Sequence, residues 1–269
     1  CPEALPGRYS LRYLTAVGRR IRDLEAQYHF DLIHGQEFAL GFYKPLPESA
    51  PVVLTVHGTI TSETPLHRDV YRLLDWRGRL GAWRRFGRRY LLAPVWRRSL
   101  ASAQRIFVDS VFTRRELERI APECVARVRM TPLAVRETGP EPPTKAAARA
   151  CLNWQDMQLV TVGRLEWQKG HDLVLEALAG LKDLKWHYTI VGAGPRREAL
   201  EALIERLHLT GRVTLAGRVD QEVKMRMLAG ADLFVWPERT HPAFGLVGLE
   251  AMLCRTPVLA TTRGAITEV

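Results

Sequence analysis

The sequence predicts an α/β protein made of two doubly wound domains with parallel sheets, and three observations carry that expectation. Short apolar runs that stop at glycine or histidine alternate with stretches whose apolar residues recur at helical spacing, which is the rhythm of parallel βα units. The chain has 269 residues, enough for two ordinary domains. Between its halves, Glu137 to Lys145 holds Gly139, Pro140, Pro142 and Pro143, a linker composition that puts residues 1–138 in one domain and 139–269 in another.

In the first half, Leu11, Leu14, Val17, Ile21 and Leu24 predict an amphipathic helix over Ser10 to Tyr28. Phe30 to His34 reads as a strand ending in His34-Gly35, and Val52 to Val56 as a second ending in His57-Gly58. The latter opens a run with Thr59, Thr61, Ser62 and Thr64, at the strand end where α/β enzymes place chemistry. Either histidine alone is an ordinary structural residue, but the repeated pattern favours His57 as a site residue. Arg105 to Val108 is a further strand leading to Asp109-Ser110 and a helix. There Thr113 and Glu116 have capping-box spacing, which makes Thr113 an N-cap. Arg127 to Met130 closes the set.

The second half centres on Leu159 to Gly170, a buried strand that ends at Gly163 and presents Arg164 and Lys169 before a helix beginning near Asp172. In parallel sheets ligands bind beyond the carboxyl ends of strands. A guanidinium and an ammonium on one loop, beside a helix start, suit a phosphate or diphosphate. The bland alternative is two solvated surface charges. Strands follow at His187 to Val191, Val213 to Ala216, Leu233 to Trp236 and Val258 to Thr261. Helices follow through Leu200 to Leu207, Val223 to Leu228 and Leu246 to Leu253. Gly192-Ala193-Gly194 lacks the third glycine of a dinucleotide fingerprint, whose place is Arg197, and Pro195 reads as a helix-initiating proline.

Composition narrows the partners. Hydrophobic residues make up 46% and charged residues 25%, with a formal charge of +10 and a pI near 9.8. Arg68 to Arg98 carries ten arginines against Asp69 and Asp75. Trp76, Trp83, Phe86, Tyr90, Leu91, Leu92 and Trp96 are interleaved with them. Three readings stay open: a solvated arginine face over a buried aromatic stripe, contact with an anionic membrane, or nucleic-acid binding, the last being the least favoured. No apolar run is long enough to span a bilayer and the N-terminus lacks signal-peptide regions, so a cytoplasmic location is expected. Cys1, Cys124, Cys151 and Cys254 lie far apart, indicating free thiols with neither a disulfide framework nor a zinc site.

Val162-Gly163-Arg164 with Lys169-Gly170, Gly192-Ala193-Gly194-Pro195, Phe244-Gly245-Leu246 running into Glu250-Ala251-Met252, and Thr256-Pro257-Val258 together resemble the GT4 family of retaining glycosyltransferases. Pro51 to Gly58 looks like that family's first-domain strand. The resemblance implies the GT-B fold, two Rossmann-like domains, with the acceptor side N-terminal and the nucleotide-sugar donor side C-terminal. It implies that Arg164 and Lys169 grip the donor diphosphate, that Glu250 bonds the ribose, and that His57 reaches the transferred sugar. Gly163 and Phe244-Gly245-Leu246 would line the donor site, and Gly217 to Val219 would border the base. The implied reaction is retaining transfer of a hexose to a glycan or lipid-linked acceptor. No Asp-x-Asp pair occurs, so no metal cofactor is expected and the cations would take its place.

Some positions depart from the family pattern. Pro242 stands where a first glutamate is usual, eight residues before Glu250, and His241 or Glu238 is the nearest substitute. Arg255 stands where glycine is favoured, and Thr131-Pro132-Leu133-Ala134-Val135 lacks the usual Asn-Gly after proline. The resemblance also implies a first strand before residue 1 and closing elements after Val269, so the chain is expected to be a fragment. A nucleotide-sugar-binding module without turnover is the alternative function.

Overall fold

The computed structural model describes residues 11–60, 62, 64, 67–72, 74, 76–135 and 141–269, without the side chains of residues 68, 69, 85, 86, 88 and 89. The expected boundary at 138 and 139, Thr61 and Cys1 lie outside them. The chain forms two compact units, residues 1–132 and 133–267, with Glu268 grouped with the first and Val269 with the second.

The first unit runs α1 (Leu11–Gln27), β1 (Ile33–Gln36), β2 (Val52–Val56), α2 (Arg68–Tyr71), α3 (Trp76–Phe86), α4 (Arg88–Leu91), α5 (Ala93–Ser102), β3 (Arg105–Val108), α6 (Val111–Ile120) and β4 (Val128–Met130). Its described strands form one parallel sheet in the order β1-β2-β3-β4. Val52, Leu54 and Val56 alternate into a core shared with Leu14, Trp96, Leu100, Ile106, Val108 and Leu117. Strand β1 begins later than Phe30, because its register pairs Ile33 with Val52 and leaves Phe30 and Leu32 exposed.

Helix α6 corrects the capping expectation. Ser110, in extended conformation, is the N-cap and accepts from the Thr113 amide at 3.1 Å. Thr113 lies inside the helix, and the Glu116 carboxylate pairs with His67 and Arg119 instead. A cap residue must sit just outside the helix with non-helical dihedrals, and the serine directly after β3 meets that condition.

The second unit runs α7 (Lys145–Leu152), β5 (Met157–Val162), α8 (His171–Ala179), β6 (Trp186–Val191), α9 (Arg197–Arg206), β7 (Val213–Gly217), α10 (Gln221–Gly230), β8 (Leu233–Trp236), α11 (Leu246–Leu253) and β9 (Val258–Ala260). Helix α7 was not expected from the sequence. Thr144 caps it, accepting from the Ala147 amide, and left-handed Asn153 ends it. Pro195 precedes the N-cap Arg196 rather than opening α9.

The described strands of this unit are parallel in the order β7-β6-β5-β8-β9. The chain steps outward from β5 through β6 to β7, then returns to the other side of β5 for β8 and β9. That reversal makes the gap beyond β5 and β8 the topological switch point, where doubly wound sheets open a crevice. One face packs Leu175, Leu178, Leu200 and Leu203 of α8 and α9 on the sheet. The other packs Ala148, Leu228, Ala229 and Ala251 of α7, α10 and α11.

Candidate functional site

Leu159, Val160 and Thr161 are buried, so β5 is covered on both faces and its carboxyl end is fixed against the sheet. The chain leaves it through Gly163, turns through a short 3-10 segment at Trp167–Lys169, and enters α8 through Gly170. Gly170 has φ of 64°, and a Cβ there would stand 1.9 Å from the Pro237 carbonyl oxygen. Only glycine lets the loop after β5 lie directly on the loop after β8.

Lys169 lies across that junction. Its Nζ donates to Oε2 of Glu238 at 2.8 Å, and the Glu238 carboxylate is only 1% exposed. The Thr240 hydroxyl donates to the other Glu238 oxygen at 3.1 Å. A Cβ on Gly163 would stand 3.7 Å from Cγ and Cδ of Lys169, so the lysine stem runs over that glycine. Arg164 sits differently: its side chain is 62% exposed and pairs with Glu166 at 2.9 Å. An exposed pair of this kind contributes only ~0–1 kcal/mol, leaving the guanidinium free to exchange partners.

A second charge cluster holds the surrounding loops. Asp172 accepts from Arg239 at 2.5 Å and from Arg196 at 3.1 Å, tying the start of α8 to the segments after β8 and β6. Burial alone would raise the Asp172 pKa, but the bonds and charges of Arg239 and Arg196 outweigh it and hold the carboxyl below its usual range. His171 is buried, and its Nε2–H donates to the Arg164 carbonyl at 3.0 Å. Its Nδ1 has no hydrogen-bond partner among the described residues, and burial lowers its pKa.

Glu250 lies on α11, which starts just past the carboxyl end of β8. Gly245, with φ of 152°, makes that start, and a Cβ there would lie 1.8 Å from the Trp236 ring. No side chain caps the helix, whose first residues Leu246 and Val247 follow Phe244-Gly245. The Glu250 Oε1 accepts from Lys224 of α10 at 2.6 Å. Its Oε2 is buried and has no hydrogen-bond partner among the described residues. Gly217 ends β7 with φ of 72° and open space where a Cβ would be, and Val219 packs on the α10 side of the core.

In the first unit His57 follows β2. Its Nδ1–H donates to Oδ2 of Asp109 at 2.8 Å, at the end of neighbouring β3, and its backbone N–H donates to Glu37 at 2.7 Å. The buried Asp109 carboxylate therefore sets the ring orientation, while the His57 side chain is 41% exposed. His34, expected at a strand end, lies inside β1, and its Nε2 bonds the Thr55 hydroxyl of β2 at 2.7 Å.

The expected donor residues Gly163, Arg164, Lys169, Gly217, Val219, Phe244, Gly245, Leu246 and Glu250 thus belong to one unit and cluster around its strand ends. Arg164, Lys169 and Glu250 do not touch one another; each holds its own opposite charge. Glu238, Lys224, Asp172 and Asp109 were not singled out as partners. The usable signal was position, since Asp109 and Glu238 directly follow a buried strand or its proline. Pro242 is buried, and its carbonyl accepts from the Ala265 amide at 3.0 Å. His241 Nδ1 accepts from the Gly264 amide.

A parallel sheet with a lysine across its switch point and a half-satisfied carboxylate on α11 defines an α/β unit of the doubly wound class. The model for Glycosyltransferase Family 4 matches residues 2–136, half of the chain, and that for Glycosyl transferases group 1 matches residues 148–269. The chain belongs to glycosyltransferase family 4. A D-inositol 3-phosphate glycosyltransferase of Mycobacterium sp. (strain KMS) is 35% identical over 133 residues, 46% of this chain and 29% of that protein. A GDP-mannose-dependent alpha-(1-6)-phosphatidylinositol dimannoside mannosyltransferase of Mycobacterium tuberculosis (strain ATCC 25177 / H37Ra) is 31% identical over 179 residues, 64% of this chain and 44% of that protein. The chain therefore spans less than half the length of these curated relatives.

Among solved structures, sucrose-phosphate synthase from Thermosynechococcus elongatus superposes with a TM-score of 0.72 at 22% identity, covering 99% of this chain and 66% of that one. HepE of Anabaena in complex with UDP and glucose gives a TM-score of 0.66 at 19% identity, covering 92% and 63%. The fold is GT-B.

Proposed function

We propose that this chain carries the two halves of a retaining glycosyltransferase that moves a hexose from a nucleotide diphosphate sugar to an acceptor hydroxyl. The observation that carries the donor assignment is the buried, unpartnered Oε2 of Glu250, whose other oxygen Lys224 holds. Such an atom costs roughly 1–3 kcal/mol until a donor reaches it, and a ribose hydroxyl supplies one. The diphosphate then lies at the strand ends near Lys169 and Arg164, with the base bordered by Gly217 to Val219 and the phosphates facing the helix start at Gly245 and Leu246.

As the glycosidic bond breaks, the leaving nucleoside diphosphate gains negative charge. Two preorganised cations bind that charge more tightly in the transition state than in the ground state. On this reading they do the work of a metal ion, and the transfer needs none. The acceptor hydroxyl attacks on the face the diphosphate leaves, and its proton passes to the departing phosphate oxygen. That front-face route requires no carboxylate nucleophile from the chain. His57, oriented by Asp109, is assigned to the transferred sugar. The two relatives' names specify an inositol phosphate and a phosphatidylinositol dimannoside, and a glycan or lipid-linked polyol is the acceptor class proposed here.

The test is calorimetry on the intact protein with UDP-, GDP- and ADP-sugars, alongside detection of transferred or hydrolysed sugar. One of the three donors should bind, and Glu250→Gln should weaken it about tenfold, the value of one charge-assisted bond. Unaltered affinity in that variant, or no binding by any donor, would sink the assignment. Pro242 motivates one further reading, a nucleotide-sugar-binding module, because proline offers the sugar hydroxyls no side-chain bond. Binding without product in the intact protein would select it.

A further inference from the structure

Helix α3 is turned the opposite way from a helix that packs on a core. With about 100° per residue, Trp76, Leu80 and Trp83 share one face, while Gly78 and Ala82 share the other. The small residues face inward: Ala82 is buried and Gly78 half-buried. The large apolar ones face solvent, with Trp76 67%, Leu80 48% and Trp83 48% exposed. Trp83 stacks on Tyr90 at 5.3 Å between centroids, which joins α4 to the same patch, and Leu91 there is 77% exposed.

Arginines rim this apolar face. Arg77 and Arg84 fall on one flank and Arg79 on the other, all exposed, and the Arg77 guanidinium lies 5.2 Å over the Trp76 ring. From Trp76 to Arg98 there are eight arginines and no Asp or Glu. Of the three sequence readings, the buried aromatic stripe holds, among the described aromatic side chains, for Trp96 alone. Exposed leucines on the same face as tryptophans do nothing for a phosphate backbone, whereas a bilayer boundary takes both them and the flanking charges.

We infer that α3 and α4 form a docking surface for an anionic lipid bilayer, with Trp76, Leu80, Trp83, Tyr90 and Leu91 entering the headgroup boundary and the arginines meeting lipid phosphates. Among the described residues no helix is long and apolar enough to cross a membrane, and this surface lies on the bilayer rather than through it. The inference stands on the surface alone and holds whether or not sugar transfer is detected.

The experiment is co-sedimentation of the full chain with phosphatidylglycerol-rich vesicles and with pure phosphatidylcholine vesicles, with tryptophan emission recorded in parallel. Binding is expected to favour the anionic vesicles about tenfold or more and to shift the emission to the blue. Two variants split the contributions: Trp76→Ser/Leu80→Ser/Leu91→Ser and Arg77→Gln/Arg79→Gln/Arg84→Gln. Each alters exposed side chains only, and each should lower vesicle binding about tenfold while thermal melting stays unchanged. No vesicle binding, unchanged binding by either folded variant, or salt-sensitive binding to duplex DNA or RNA without vesicle binding would each overturn the inference.

Discussion

Lys169 holds the buried Glu238 and is proposed to grip the donor diphosphate, and a single alanine cannot separate the two. Its ammonium pairs at 2.8 Å with a carboxylate 1% exposed, and its own side chain is 27% exposed. Lys169→Ala would leave the buried Glu238 carboxylate without its ammonium partner, and stranding one partner of such a pair costs about 3 kcal/mol, the low end of the range because the lysine is partly solvated. Glu238→Gln keeps the size and the threonine bond and leaves a lysine that water reaches, for about 1 kcal/mol. The double variant Lys169→Ala/Glu238→Gln should stay near that smaller loss, a coupling of about 3 kcal/mol. Urea denaturation of all four proteins measures the cycle. Transfer rate is the second readout: removing a cation from the leaving diphosphate should lower kcat about 10²–10³-fold, and the double variant should recover stability but not rate. A double variant that regains both would show that Lys169 holds the loops and does no more. Additive stabilities would show that the pair is not coupled.

Two predictions concern stability alone. The folded pKa of His171 is depressed below 6.5 by burial, so its contribution is present above that value and is lost as pH falls through the folded pKa. His187 behaves likewise, again through burial. Stability measured between about pH 5 and 7 should therefore fall with acid, and His171→Gln should flatten the slope and leave only the share of His187; an unaltered slope would refute the assignment. Arg255 follows α11 with φ of 59°, the left-handed region, and its contact with Glu141 at 3.9 Å joins two exposed side chains. Arg255→Gly should stabilise the protein by about 0.5–1 kcal/mol in thermal melts, since the relieved left-handed strain exceeds the added chain entropy, and any destabilisation would contradict that account.

Most of the fold was legible because both sheets are parallel: strands buried on two faces become continuous apolar runs, and β2, β3, β8 and α11 sit where the runs lie. Helix α7 escaped because its signal is Thr144 followed by alanines, with a single buried face residue, Ala148, and no apolar period to see. The positions of the candidate site residues were legible to the same extent as the strands that carry them. Arg164, Lys169 and Glu250 could be placed at strand ends and a helix start, but their partners come from different strands, and pairings such as Lys169 with Glu238 span 69 positions. Periodicity carries no record of such a pairing.

The departure at Arg255 shows the complementary case. Glycine is favoured there for a reason the sequence withholds and the backbone supplies: the residue after α11 must turn left-handed so that Thr256 can return its amide to Ala251 at 3.0 Å. Arginine tolerates the turn at a cost to stability and none to the charges around Glu250. Pro242 is a different kind of change. It removes a possible donor contact while its carbonyl still holds Ala265, so the loop after β8 keeps its anchor and loses only side-chain chemistry. On the transferase reading, His241 or Glu238 is the nearest side chain left to meet the sugar, and Glu238 already holds Lys169.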